Sequence, residues 1–306
     1  MKSIRHFLEY ILVCILIFLV RPLSQKQVVC LGKGIGAMVF RFSGKRKKTA
    51  LTNLNIIFSD SQTTSQKMKR IKDSFKLLAV SAMQSIWVTI NTEDRVRQLI
   101  PKEPEGLDIL KKCLEKKKGV LFLTAHYGNW ELMGLYHGLL EICPLSSIVR
   151  KLDNPYLDNF TTKMRTATGN QIFYRDDPLL KIVRELKNNH SVAVMMDQNT
   201  ARGSIFVNFF GLKASTPRAL ARLSYRLGTP VIPLFSYPTS TGTYSIKYGP
   251  ELIFEKSGNK DQDILDWTQE METFIETVIR NNPNPWMCGH RRWKTRPPEE
   301  KNAQVY

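Results

Sequence analysis

The chain has 306 residues, 42% of them hydrophobic, and its 45 Lys and Arg against 27 Asp and Glu give a formal net charge of +18. That is enough chain and apolar content for a full core, which excludes a disordered tail or a small stapled scaffold; the charge calls for an anionic partner without choosing among nucleic acid, a lipid surface, a phosphorylated substrate and an acidic protein. The five cysteines, Cys14, Cys30, Cys113, Cys143 and Cys288, are scattered with no CxxC pair, which fits a reducing compartment and argues against both a disulfide framework and a zinc site.

In chain order, FLEYILVCILIFLV at 7–20 is an apolar run broken by Glu9 and flanked by Lys2, Arg5, Arg21 and Lys26. It is shorter than the roughly 20 residues of an ordinary spanning helix, so spanning and lying in the interface both stay open, and no small-x-small cleavage site follows it. A second apolar stretch, VVCLGKGIGAMVF, precedes RFSGKRKK, which sets Arg41, Lys45, Arg46, Lys47 and Lys48 beside it. Basic clusters next to an apolar anchor favour an anionic leaflet and a cytoplasmic orientation. Residues 1–50 are therefore expected to be a retained membrane anchor with a basic juxtamembrane segment, and 51–306 an α/β domain.

Residues 63–90 carry Met68, Ile71, Phe75, Leu78 and Met83 at near-helical spacing and predict one long helix. After IPKEPEG and a short helix at 108–118, the periods alternate. Strands are expected at 119–124, 145–150, 171–174, 191–196 and 230–236, with helices at 129–141, 155–168, 177–189 and 216–227 between them. This alternation predicts a mainly parallel sheet covered by helices. In STPRALARLSYRLGTP, Thr216 reads as an N-cap, Pro217 as the first helical residue and Gly228 as the terminating one. A hairpin strand, TYSIKYG, and a helix at 261–281 close the domain.

The chemistry is expected where strand GVLFLTA ends, because ligands of open α/β sheets collect at the carboxyl ends of the strands. There HYGNWE places His126 and Glu131 around Gly128, with Asn129 as a helix cap. Five residues on a continuous helix would rotate the two side chains apart by about 500°, so the turn must bring them together. An imidazole can take a proton from a hydroxyl at neutral pH, with a carboxylate on its other nitrogen to fix the tautomer. Arg150, Asp197 with Gln198, and Asn208 beside Phe209 and Phe210 end later segments and are expected at the same edge. Arginine suits phosphate or carboxylate, although each of these residues also has an ordinary structural reading.

HYGNWE, IVRKLDNPYLD, MMDQN, VNFFGLKASTPRALARL and NPNPWMCGHRRWK, in this order and at these distances, resemble the bacterial lipid A biosynthesis acyltransferases, the late lauroyl/myristoyl transferases of the lysophospholipid acyltransferase superfamily. The resemblance runs over about residues 5–295. It implies a glycerol-3-phosphate acyltransferase-like α/β fold with an N-terminal membrane-anchor helix. The implied enzyme sits in the bacterial inner membrane, faces the cytoplasm, and moves an acyl chain from acyl carrier protein to a hydroxyl of a 3-hydroxyacyl chain on a lipid A precursor. By position, His126 is then the general base with Glu131 as its partner, and Arg150, Asp197, Gln198 and Asn129 bind substrate. Backbone amides around Gly128, or Arg150, are the candidate oxyanion donors. No metal, cofactor or nucleic acid is expected. The rival readings are an acyl-CoA-dependent glycolipid or lysophospholipid acyltransferase and a membrane-bound thioesterase. The Met-Cys-Gly between Trp286 and His290 departs from the bulkier apolar residues of the family pattern.

Overall fold

The computed structural model describes residues 2–201, 203–300, 302 and 305–306; the side chains of Lys2 and Ser3 lie outside the described set, and with them the flanking charge expected of Lys2. The amino-terminal part is helical: α1 (Lys2–Val20), α2 (Gln25–Phe42), α3 (Gly44–Phe58), α4 (Thr64–Trp87), α5 (Thr92–Leu99) and α6 (Leu107–Glu115). Reciprocal capping boxes start two of them, Ser24 with Gln27 for α2 and Thr63 with Gln66 for α4. The outer two of the three glycines in GKGIG bring α2 onto α4: a Cβ at Gly32 would stand 2.6 Å from Val80 Cα, and one at Gly36 2.5 Å from Lys76 Cα.

From β1 (Val120–Thr124) the chain alternates through α7 (Trp130–Leu139), β2 (Leu145–Val149), α8 (Pro155–Thr166), β3 (Gln171–Tyr174), α9 (Leu179–Lys187) and β4 (Ser191–Met195). It then makes the hairpin of β5 (Ser204–Phe209) and β6 (Leu212–Pro217), and finishes with α10 (Ala219–Leu227), β7 (Val231–Pro238), β8 (Tyr244–Tyr248) and α11 (Lys260–Asn281). The main sheet runs β3-β2-β4-β1-β7-β8, parallel throughout except where β8 returns beside β7. Every residue of β1 is buried. Leu121 and Leu123 join Val192, Val194, Met271 and Ile275 on one face, while Val120 and Phe122 join Leu110, Leu132, Ile232 and Tyr248 on the other. A strand buried on both faces reads as a continuous apolar run, which is why GVLFLTA shows no alternation.

One expectation finds no support here and another is corrected. Among the described residues no helix is long and apolar enough to cross a membrane, and the spanning reading of 7–20 finds no support. α1 is 19 residues long and ends at the turn of residues 21–24, with Leu8, Leu12, Ile15, Phe18 and Leu19 exposed and Ile17 and Val20 buried. Thr216 and Pro217 do not open a helix. Both lie in β6, where Thr216 pairs with Ile205 and its hydroxyl accepts from Arg292, and α10 begins two residues later behind Arg218. Gly228 does end α10, at φ 65°. The β5/β6 hairpin, unread as a hairpin in the sequence, turns at Phe210 and Gly211, both at positive φ, and is tied to α11 through Asn208 with Gln269 and the Phe210 amide with Glu276. All five cysteines are free thiols.

Candidate active site

Parallel pairing sets Thr124 of β1 opposite Met195 of β4. Two residues beyond each lie His126 and Asp197, and Nδ1 of the imidazole stands 2.8 Å from Oδ1 of the carboxylate. Asp197 is buried, at 2% exposure, and His126 is 20% exposed, so the pair has a sealed end and an open end. With the carboxylate ionised, Nδ1–H donates and Nε2 is left as the free basic nitrogen. Burial alone would raise the Asp197 carboxyl, but the His126 ring and a donated bond from the Trp286 indole hold it below the usual carboxylate range. The Trp286 bond, Nε1–H to Oδ2, is 3.0 Å long.

The turn that carries His126 is fixed from several sides. Gly128 has φ 63°, and a Cβ there would overlap the carbonyl oxygen of Ser236 on β7. The Gly128 amide donates to Pro285 O at 3.1 Å, the Met287 amide to His126 O at 3.0 Å, and the Asn129 amide to Ser236 Oγ at 3.4 Å. Asn129 caps α7 as expected, its side chain accepting from the Leu132 amide at 3.1 Å and donating to Ser81 O at 3.4 Å. The side chain is buried at 1% exposure, and these bonds give it a structural role in the turn. The Tyr127, Gly128 and Asn129 amides of this turn are bonded within the protein, to Ala125 O, Pro285 O and Ser236 Oγ.

Glu131 is not the carboxylate on His126. It accepts two bonds from Arg165 of α8, at 2.8 and 2.5 Å, and one from the Trp130 indole at 3.3 Å. The Trp130 ring stands edge-on to the imidazole, with centroids 5.0 Å apart at 71°, and so separates the two groups that the sequence spacing seemed to couple. The result is two adjoining pairs, His126 with Asp197 and Glu131 with Arg165. Arg150 joins neither: its side chain is 77% exposed and reaches Asp153 at 3.4 Å, as in its surface-ion-pair reading. Gln198 follows Asp197, half-buried. Asn208 is exposed on β5, and Phe209 and Phe210 are core.

Behind the dyad lies a buried charged cluster. Glu272 of α11 and Arg292 are both fully buried and 3.2 Å apart, and burial pushes the Glu272 carboxyl up to about 7. His290, held down to about 4 by burial, accepts the Asn199 amide on Nε2 at 3.1 Å. Sequence reasoning missed Arg165, Trp130 and Trp286 as neighbours of His126. The only signal for Trp286 was the NPNPW block itself, and nothing local in the sequence marks Arg165.

The sequence has relatives. The profile of the family described as bacterial lipid A biosynthesis acyltransferase matches residues 1–295. The chain is similar to the lipid A biosynthesis palmitoleoyltransferase of Escherichia coli K12, 28% identical over 284 residues that cover 91% of this chain and 89% of the relative. It is similar to the lipid A biosynthesis lauroyltransferase of the same organism, at 25% over 298 residues, 96% and 93% of the two chains. It also resembles the phosphatidylinositol mannoside acyltransferase of Mycobacterium tuberculosis H37Rv, at 24% over 226 residues, 71% and 67%. The chain, with its histidine and buried carboxylate at the carboxyl ends of adjacent parallel strands, belongs to the bacterial lipid A biosynthesis acyltransferase family and is an acyltransferase acting on lipid A.

Proposed function

We propose that the protein transfers a fatty acyl chain from acyl carrier protein to a hydroxyl of a 3-hydroxyacyl chain on a lipid A precursor, with His126 as general base. The observation that carries this reading is the His126–Asp197 bond, which occupies Nδ1 and leaves Nε2 as the free ring nitrogen at the half-open end of the pair. Nε2 takes the proton of the acceptor hydroxyl as its oxygen attacks the thioester carbonyl. Asp197 stabilises the imidazolium that forms. The tetrahedral adduct collapses by breaking the carbon–sulfur bond, and the departing thiolate recovers the proton from the imidazolium. No enzyme nucleophile is required: Cys288 and Cys143 are buried, with burial raising both thiols, Cys288 to about 11.

Glu131 acts beside this dyad rather than on it. Arg165 and the Trp130 indole orient its carboxylate across the ring that lines His126, where it can accept a bond from the incoming hydroxyl or its neighbours. Arg165 is the cation of this wall and a donor toward the negative charge that develops on the thioester oxygen.

A lipid acceptor has to be met at a membrane surface. The exposed apolar side of α1, together with Met38, Val39 and Phe42 at the end of α2 and Arg41, Lys45, Arg46 and Lys48 next to them, supports an interfacial seat on an anionic leaflet. That seat fits the cytoplasmic face of a bacterial inner membrane.

The deciding experiment incubates the protein with labelled acyl-acyl carrier protein, or acyl-CoA in a parallel arm, and a tetra- or penta-acylated lipid A precursor, wild type beside His126→Ala. A mass gain of one acyl chain that disappears in the variant supports the reaction and the base. Free fatty acid without an acylated lipid would point to hydrolysis instead, and transfer from acyl-CoA alone would replace the donor.

A further inference from the structure

Resting on His126 as the base, we infer that Trp286 is a positioning residue for the reaction, its indole N–H fixing the orientation of the Asp197 carboxylate. The two oxygens of Asp197 have separate partners: Oδ1 faces His126 Nδ1 at 2.8 Å and Oδ2 accepts Trp286 Nε1–H at 3.0 Å. A carboxylate held through one oxygen can rotate and let the imidazole change tautomer; held through both, it presents one oxygen in one direction. The Trp286 ring is 1% exposed, so water does not substitute for its N–H.

The same short segment also holds the other half of the dyad. Residues 285–287 pair with the turn at 126–128: Tyr127 bridges Trp286, the Met287 amide donates to His126 O, and Pro285 O receives the Gly128 amide. The segment is pinned to the amino-terminal helices, Ser74 Oγ donating to Trp286 O at 2.9 Å and Asn53 Nδ2 donating to Cys288 O and His290 O, both at 2.7 Å. One strap thus sets the backbone of the base and the side chain of its partner, and a displacement at either end is felt at Nε2.

Charged and titratable groups around the pair are His290 from the strap, Glu272 with Arg292 from α11 and the strap, and Glu131 with Arg165 across Trp130. None of them is altered by removing the indole N–H, so a change in pH response reports the Asp197–His126 pair. Without its donor Oδ2 carries more charge, the imidazolium of His126 is favoured, and the base stays protonated to a higher pH.

The test is Trp286→Phe beside replacement of Trp286 by its benzothienyl isostere, which keeps the ring shape and removes only the N–H. Both are followed as full pH profiles of kcat and KM, with His126→Ala as the reference. The expected result is a roughly tenfold to hundredfold loss in kcat, KM within about twofold, and a low-pH limb moved to higher pH, with the isostere matching the phenylalanine variant. A folded isostere variant with wild-type kcat and an unmoved limb, while His126→Ala is inactive, overturns the role of Trp286 and leaves the base in place. Activity retained by His126→Ala overturns the base, and this inference with it.

Discussion

Nδ1 of His126 and Oδ1 of Asp197 lie 2.8 Å apart although 71 positions separate them in the chain, because β1 and β4 are parallel neighbours that end in register. The base and its carboxylate therefore come from two strands rather than from one turn. Asp197→Asn should keep the fold, since an amide can still accept the Trp286 N–H, and should lower acyl transfer by roughly 10²- to 10⁴-fold, the ordinary worth of a correctly oriented general base. Steady-state kinetics with a lipid A precursor checks this, and a variant within a few-fold of wild type would remove Asp197 from the dyad.

Glu131 and Arg165 form a two-bond pair with side chains 19% and 27% exposed, so each leaves a poorly solvated charge when the other is removed. Glu131→Gln and Arg165→Met should each destabilise the protein, and the double variant should cost less than the two together, with a coupling of about 0.5–3 kcal/mol. Denaturation midpoints of the four proteins measure it. Additive effects would show the pair to be energetically silent.

Much of this architecture was legible in the sequence. The apolar runs 119–124 and 191–196 gave β1 and β4, the 3.6-residue spacing of 63–90 gave α4, and Gly228 marked the end of α10. What the sequence could not carry was adjacency in the sheet. TAH and MMD each place a polar residue two positions past a strand, but only the order β4-β1 makes them partners. Nearness along the chain pointed instead to Glu131, which the Trp130 ring diverts to Arg165. Thr216 failed for a related reason: a threonine before a proline is decided by its tertiary partners, here the β5/β6 pairing.

Gly128 should tolerate no side chain. Its φ of 63° is strained for an L-residue by about 1–2 kcal/mol, and the added Cβ would meet the Ser236 carbonyl oxygen, which belongs to the backbone of β7 and cannot rotate away. Gly128→Ala is expected to lower the thermal midpoint and to lose activity, since the displaced turn carries His126. A variant as stable and active as wild type would show that the turn relaxes.

Stability should fall on mild acidification. His137 sits in the core with Nε2–H donated to Cys143 O and Nδ1 accepting from the Tyr248 hydroxyl, and His290 accepts the Asn199 amide on Nε2; both rings are therefore held neutral, and burial pushes each down to about 4. The unfolded chain binds these protons from about pH 6.5 downward. The stabilisation is thus fully present above about 6.5 and is lost as pH falls toward 4, for His137 on the order of 3 kcal/mol and less for the more accessible His290. Urea midpoints between pH 7.5 and 4.5 should decline more steeply for wild type than for His137→Gln, whose amide makes the same two bonds without titrating. Parallel slopes would show that His137 is not the group responsible.

The apolar side of α1 separates membrane seating from folding. Leu8, Leu12 and Phe18 are 58%, 67% and 77% exposed, so replacing them removes little internal packing, and surface changes of this kind ordinarily shift stability by no more than about 0.5 kcal/mol each. On a bilayer the same side chains would enter the acyl boundary, where they and the basic residues at 41–48 act together and where salt weakens only the electrostatic share. Leu8→Ser, Leu12→Ser and Phe18→Ser combined should leave the thermal midpoint nearly unchanged while reducing sedimentation with anionic vesicles, and acyl transfer to a vesicle-borne acceptor should fall with it. Transfer to the same acceptor in detergent should stay close to wild type, because the dyad lies on the sheet edge and not on α1. Equal binding of the triple variant and wild type to the vesicles would assign the membrane contact to another surface.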